Sequence, residues 1–535
     1  MQGSDGELSR RGDWRRRRLR NDMQDIPKPK KVYDNPSLKE LRAFANEMPN
    51  AQQTEFGTVN VKTNVLARSK DSTFIITDTP EKHSDQCISV TKGKEIIARQ
   101  NEYIQNKEMV IIDGYIGNHP EFRIRARLYM EKNYANIAAM QDILFFHDKN
   151  ERREEPQVTV IYTPGLEAPG FPNNRVIAVD LKNNITRVLN SDYFGESKKG
   201  GLRMWNKIVY DRGGLPLHAG AKIIPVPGEG KKVCLVVGLS GTGKTTTTFT
   251  RQNNSSPVQD DFVALMPNGK VYATENGCFA KTFGLDPESE PTIHKAVTGP
   301  NAYLENVSQN QGGKVDFFDT SYTQNGRAVF PMADVDGAAS ADEIDKPDFL
   351  LILNRNENII PAVAKLSHAQ AAAYFMLGET QGTSAGGAAE AGKFLRVPGT
   401  NPFFPLLHSQ QGNRFLELYH KVGMEVYLMN TGRIGGPEKN SQSQKVKIKH
   451  SSAIVKGIAE DTIRWKRDPD FGYEVATFIP DFPEEDHGLL DPAMFYEKQG
   501  RLEEYRQHVT TLKEERKNYM HKFPGLDSEI IQAIE

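Results

Sequence analysis

The chain has 535 residues, with Lys plus Arg at 68, Asp plus Glu at 69 and a formal net charge of −1. At ~150 residues per domain, that length predicts two large domains or three smaller ones. The balanced charge carries no nucleic-acid footprint, 26 Phe and 18 Tyr exclude disorder throughout, and three widely spaced cysteines (Cys87, Cys234, Cys278) exclude a disulfide framework. No apolar run reaches the ~18 residues of a membrane span. These features predict a protein of a reducing, cytoplasmic compartment, with neither membrane nor nucleic acid as partner.

Residues 1–30 lack apolar periodicity and carry Arg10, Arg11, Arg15 to Arg18 and Arg20, which reads as a flexible basic tail. Ser37 followed by Leu38 to Asn46 predicts an N-capped amphipathic helix. The β-branched runs Thr73 to Thr77, Met109 to Asp113, Val158 to Tyr162 and Arg175 to Asp180 predict strands, so this half is α/β. Residues 200–220 read only as a Gly-rich, basic stretch. Lys231 to Val237 and Phe349 to Leu353 predict buried strands, with short strands and turns over 255–340 between them. Residues 378–402 hold many Gly and Ala without periodicity, which suggests a functional lid. Leu502 to Phe523 predicts a charged helix. The division expected is a tail to 30, an α/β unit over 31–215 and a second unit over 216–535.

The sharpest local signal is Gly238-Leu239-Ser240-Gly241-Thr242-Gly243-Lys244-Thr245, a G-x-x-x-x-G-K-[ST] loop between a predicted strand and a helix starting at Thr245 and Thr246. In such a loop, glycines let backbone N–H groups converge on phosphate oxygens, while the lysine neutralises β/γ-phosphate charge. The threonine hydroxyl binds the accompanying metal. Asp260-Asp261 follows, and paired acids after a phosphate loop suggest metal binding.

Five blocks occur in one order: Tyr193 to Gly200, Leu217-His218-Ala219, the phosphate loop, Asp260-Asp261, and Glu275 to Thr282. Together they resemble the ATP-dependent phosphoenolpyruvate carboxykinases, most densely from about 190 to 335. The resemblance implies a two-domain α/β carboxykinase fold with the phosphate loop on a mixed sheet of the C-terminal domain. It implies conversion of oxaloacetate and ATP to phosphoenolpyruvate, CO₂ and ADP, as in gluconeogenesis, with Mn²⁺ and Mg²⁺ as cofactors. Lys199, His218 and Asp261 match the family's Mn²⁺ ligands, with Thr245 on the nucleotide's metal. Arg68, Tyr193, Lys199 and Arg327 match the substrate side, and Lys199, Lys244, Asp260 and Arg327 the catalytic set. Lys281, Glu290, Lys445 and Ser451 match nucleotide-side positions.

This chain also departs from the pattern. Lys445 and Ser451 stand where arginine and threonine are usual, the proline after Arg68-Ser69 is missing, and Asn401-Pro-Phe-Phe-Pro405 replaces a family segment. The same residues leave two other readings open. One is a P-loop kinase of this fold that phosphorylates another small acid or a protein serine. The other is a nucleotide-binding regulator without catalysis.

Overall fold

A computed structural model describes residues 26–148, 155–239, 241–381 and 393–534. Most of the expected basic tail, the centre of the expected lid and Ser240 lie outside the described residues. Ser37 does cap the helix Leu38–Asn46: its side chain accepts from the Glu40 N–H, and the Glu40 carboxylate accepts from the Ser37 N–H at 2.8 Å.

Three sheets position the site. The first runs, in spatial order, Lys31–Asp34, Glu108–Ile116, Ile124–Glu131, Val158–Thr163, Ile185–Leu189, Val176–Asp180, Thr73–Ile76 and Cys87–Ile88. The strands predicted in this half all belong to it. Across it lies the helix Gly195–Asp211, where the sequence showed only a Gly-rich basic stretch. The glycines have a packing reason. A Cβ on Gly200 would stand 3.2 Å from both Thr186 Cγ2 and Val160 Cγ2 on the sheet. Helix propensity is given up there for a close approach between layers.

The second sheet runs Ser256–Gln259, Ala219–Val226, Gly230–Val237, Phe349–Asn354, Glu425–Asn430, Val363–Lys365, Glu474–Phe478 and Arg464–Arg467. Its three central strands, Gly230–Val237, Phe349–Asn354 and Glu425–Asn430, are parallel and the rest make the sheet mixed, as expected. Val, Leu and Ile dominate those central strands because helices and loops cover both faces.

The third sheet runs Gly277–Lys281, Arg327–Pro331, Tyr303–Glu305, Val59–Val61 and Ala51–Gln53. It joins strands distant in sequence: Val59–Val61 pairs in parallel with Tyr303–Glu305. Asn60 Nδ2 adds a bond to the Val307 carbonyl at 2.8 Å, and the Thr63 N–H donates to Asn306 Oδ1 at 2.8 Å.

Replacing Ser37 with alanine removes the reciprocal cap and is expected to cost about 1 kcal/mol. A matching drop in the urea midpoint checks this; a variant that unfolds with the parent would show the cap to be idle.

Candidate active site

The carboxyl ends of the three parallel strands converge, with Val237 opposite Ile352 and Asn354 opposite Asn430. Open parallel sheets bind ligands at this edge. The phosphate loop follows Val237 and leads into the helix Lys244–Phe249. Gly241 and Gly243 adopt φ of 90° and 87°, a region β-carbons disfavour. From the neighbouring strand ends, Arg355 Nη1 donates to the Gly241 carbonyl at 2.7 Å and Thr431 Oγ1 to the Thr242 carbonyl at 2.6 Å.

The sheet topology brings the metal-type residues to the same edge. Ala219–Val226 runs antiparallel to Gly230–Val237, so its first residue pairs with Val237 and His218 emerges beside the loop. Ser256–Gln259 reverses direction once more, so Asp260 and Asp261 follow it at that edge.

Arg68, Lys199, His218, Asp260, Asp261, Lys281, Glu290, Arg327, Lys445 and Ser451 line one cavity of about 940 Å³, together with Leu239 and Gly241 to Thr246 of the loop. Among the described residues expected at the site, Gly238 and Tyr193 do not line it; Tyr193 is fully buried, with its ring centroid 5.6 Å from Lys199 Nζ, so it backs the wall rather than forming it. Lys281 and Arg327 sit side by side across the third sheet, and Glu305 faces Arg327 from the other strand.

Asp261 is the electrostatic centre. It accepts from Lys198 Nζ at 2.9 Å, lies 2.8 Å from His218 Nε2 and bonds Lys244 directly. Burial alone would raise its carboxyl, but Lys198 and Lys244 hold it well below the usual carboxylate range. Asp260 behaves oppositely: burial raises it, against the pull of Lys244, and its hydroxyl partner is Thr245. Burial also pushes Glu275 up to about 7, against its 2.9 Å bond to Lys198.

Three groups test whether a cation fits. His218 Nδ1 donates to the Thr400 carbonyl at 2.7 Å, so the neutral ring turns the Nε2 lone pair toward Asp261 Oδ1. Burial first, then Lys244, lowers the His218 pKa, so protonation does not readily fill that gap. Burial, reinforced by Arg68, Arg327 and Arg203, lowers Lys199 to about 7, which makes a neutral amine accessible. An amine, an imidazole and a carboxylate then share a cavity with lone pairs to offer, a set that suits a borderline divalent cation. No group of three His, Cys, Asp or Glu side chains with metal-holding geometry occurs among the described residues.

Several supporting residues were invisible in the sequence. Lys198 is buried between Asp261 and Glu275, while Lys199, one position on, lines the cavity. The Arg68 segment is held from three sides: Asp192 accepts from the Asn64 and Val65 N–H groups, Glu196 Oε1 accepts from the Ser69 N–H, and Asn325 Nδ2 donates to the Leu66 carbonyl. Phe403, from the segment that departs from the family pattern, presents its ring to Lys199 Nζ at 5.4 Å and Arg68 Cζ at 5.8 Å. Thr400, which receives the His218 bond, holds φ at 50°, costly for a β-branched residue. Glu290, expected near the nucleotide, accepts from Thr246 Oγ1 at 2.6 Å. Lys445 is solvent-exposed at the cavity's edge.

A phosphate loop on parallel strand ends, facing paired carboxylates and a cationic wall, defines a P-loop nucleotide-dependent enzyme. Comparison with known proteins narrows the class. The family model described as phosphoenolpyruvate carboxykinase matches residues 30–485. The chain is 30% identical over 525 residues to the phosphoenolpyruvate carboxykinase (ATP) of Alkaliphilus oremlandii, covering 94% of this chain and 95% of that one. It is 28% identical over 525 residues to the enzyme of that name from Brevibacillus brevis, with 94% and 96% covered. It is 31% identical over 404 residues to the one from Bradyrhizobium sp. strain BTAi1, with 73% of each chain covered. The chain belongs to the ATP-dependent phosphoenolpyruvate carboxykinase family.

Lys198→Met strands Asp261 and Glu275 without their buried partner and is expected to cost about 3–5 kcal/mol. Chemical denaturation measures this, and a variant as stable as the parent would show that the lysine does not neutralise the pair.

Proposed function

We propose that this chain decarboxylates oxaloacetate and phosphorylates the product with ATP, giving phosphoenolpyruvate, CO₂ and ADP. The observation that carries the reading is the single cavity in which the phosphate loop, Lys199, His218 and Asp261 meet Arg68 and Arg327. Oxaloacetate lies against Arg68 and Arg327, whose guanidinium groups suit carboxylates, with Tyr193 behind. Breaking the bond to the departing carboxylate leaves its electron pair in the enolate of pyruvate. Arg327 stabilises that charge by position alone, without reorganisation. The enolate oxygen then attacks the γ-phosphorus, and the bond to the ADP oxygen breaks. Lys244, Lys281 and the loop N–H groups take up charge on the transferring and leaving phosphates. Phe403 shields the enolate from water, which would otherwise protonate it to pyruvate.

Lys199, His218 and Asp261 would hold a divalent cation such as Mn²⁺, with Thr245 and Asp260 beside the Mg²⁺ of the nucleotide; such ions supply Lewis-acid polarisation of the oxygens they touch. Free thiols at Cys87, Cys234 and Cys278 support a reducing, cytoplasmic setting. No helix among the described residues is long and apolar enough to cross a membrane.

Purified protein given oxaloacetate, ATP, Mg²⁺ and Mn²⁺ is expected to form phosphoenolpyruvate and ADP in equal amounts, and Lys244→Ala to form neither. ADP without phosphoenolpyruvate would overturn the reaction. Arg68→Gln is expected to raise the KM for oxaloacetate by about tenfold or more, the worth of a lost charge-assisted carboxylate contact. An unchanged KM would remove Arg68 from the substrate wall.

The depressed Lys199 amine sets the pH behaviour. Above its pKa of about 7 it offers a lone pair, and below it a proton competes with the cation. Mn²⁺ affinity, read by calorimetry, is therefore expected to weaken about tenfold per unit as pH falls below about 7. An affinity flat from pH 8 to 6 would exclude Lys199 as a ligand.

A further inference from the structure

The C-terminal helix Leu502–Met520 lies beyond the residues matched by the family model, yet one of its side chains is buried against the cavity's framework. Arg516 is 1% exposed and faces an equally buried Glu379. Its Nε donates to Glu379 Oε1 at 3.0 Å, its Nη2 to Oε2 at 2.6 Å and its Nη1 to Tyr374 Oη at 3.0 Å. This is a bidentate clamp, which fixes orientation as well as distance. A second arginine joins from the side: Arg396 Nε donates to Glu379 Oε1 at 3.1 Å and its Nη2 to Glu515 Oε2, one residue before Arg516, at 3.1 Å.

Two routes lead from Glu379 to the cavity. Glu379–Gln381 pairs antiparallel with Phe394–Arg396, and Thr380, Leu395 and Val397 of this ribbon line the cavity wall. The other route runs through Asn354, whose Nδ2 donates to Glu379 Oε2 at 3.3 Å. Asn354 ends a central parallel strand. Its carbonyl accepts from the Thr431 N–H at 2.8 Å, and Thr431 and the adjacent Arg355 both bond phosphate-loop carbonyls. The carboxylate of Glu379 therefore ties the C-terminal helix to the ribbon and to two struts of the phosphate loop. An ion pair this deep returns little net stability compared with an apolar pair of the same size. What it does supply is one fixed geometry.

We propose that Arg516 is a positioning residue for nucleotide binding: through Glu379 it sets the ribbon wall and the struts that hold the phosphate loop. The inference rests on the cavity being the nucleotide site, as assigned above.

The test measures MgADP binding by calorimetry and thermal stability on the full chain. Arg516→Met leaves Glu379 charged and buried, and is expected to lower Tm and weaken MgADP about tenfold. The double variant Glu379→Leu, Arg516→Met removes both charges. It is expected to regain Tm and still bind MgADP about tenfold more weakly than the parent. A double variant that regains both would overturn the proposal, because the pair would then be an ordinary structural contact. Should the double variant not fold, Arg516→Lys keeps the charge without the fork: weaker MgADP at an unchanged Tm supports the proposal, and an unchanged affinity overturns it. Binding is read without turnover. A parent that binds MgADP but makes no phosphoenolpyruvate would therefore sink the assigned reaction and leave this test standing, while a parent that binds no MgADP overturns both.

Discussion

Lys198, Lys199, Lys244, Lys281, Arg68, Arg203 and Arg327 crowd into and around one cavity, and without counter-charge that concentration of cations would not stay folded. Asp261 supplies much of the balance, taking contacts from Lys198, Lys244 and His218 at once. Glu275 steadies Lys198 from the other side, and Glu196 lies 3.8 Å from Arg203. The arrangement divides the cations by role. Lys198 is raised by its carboxylate neighbours and stays charged, while Lys199 is lowered by burial and by the arginines around it. Adjacent lysines on one helix thus do opposite work because a helix turns about 100° between them.

The phosphate loop was legible in the sequence because its mechanism demands residue types: glycine where φ is positive, a β-branched strand before, a helix start after. The main strands were legible for a similar reason, since buried parallel strands leave apolar runs. The helix Gly195–Asp211 was not, because Gly200 and Gly201 argue against a helix until the sheet beneath them is known. Nor was the pairing of Val59–Val61 with Tyr303–Glu305, which no local pattern encodes. Within the site, the ordered blocks held Lys199, His218, Lys244, Asp261 and Lys281, which line the cavity, but not Arg355, Thr380 or Thr431, which line it too. Supporting residues were missed as well: Asp192, Glu196 and Asn325 look like ordinary polar residues, and only folding shows their bonds to backbone N–H and carbonyl groups around Arg68.

Phe403 shows how a departing segment keeps its place. Asn401 Nδ2 donates to Asn206 Oδ1 at 2.7 Å, and the Pro405 carbonyl meets His83 Nδ1 at 2.7 Å. The segment is pinned to the helix Gly195–Asp211 at one end and to the 83–86 turn at the other. Its aromatic ring then faces His218, with centroids 6.1 Å apart, and the cations Arg68, Lys199 and Arg203. The segment thus delivers an aromatic ring to the cavity wall beside those cations.

The parallel pairing of Val59–Val61 with Tyr303–Glu305 bears on how the molecule is made. At ~5–20 residues per second, the ribosome needs on the order of tens of seconds to pass from the first of these strands to its partner. Until then the edge of Val59–Val61 has no neighbour on that side, and Arg68, a few residues further on, lacks the Asn325 bond that helps hold its segment. Arg68 and Arg327 therefore reach their shared cavity together, late in synthesis. A nascent chain that already carries the phosphate loop still lacks Arg327 and the struts Arg355 and Thr431 that bond the loop's carbonyls, so neither side of the cavity is finished before the later strands emerge.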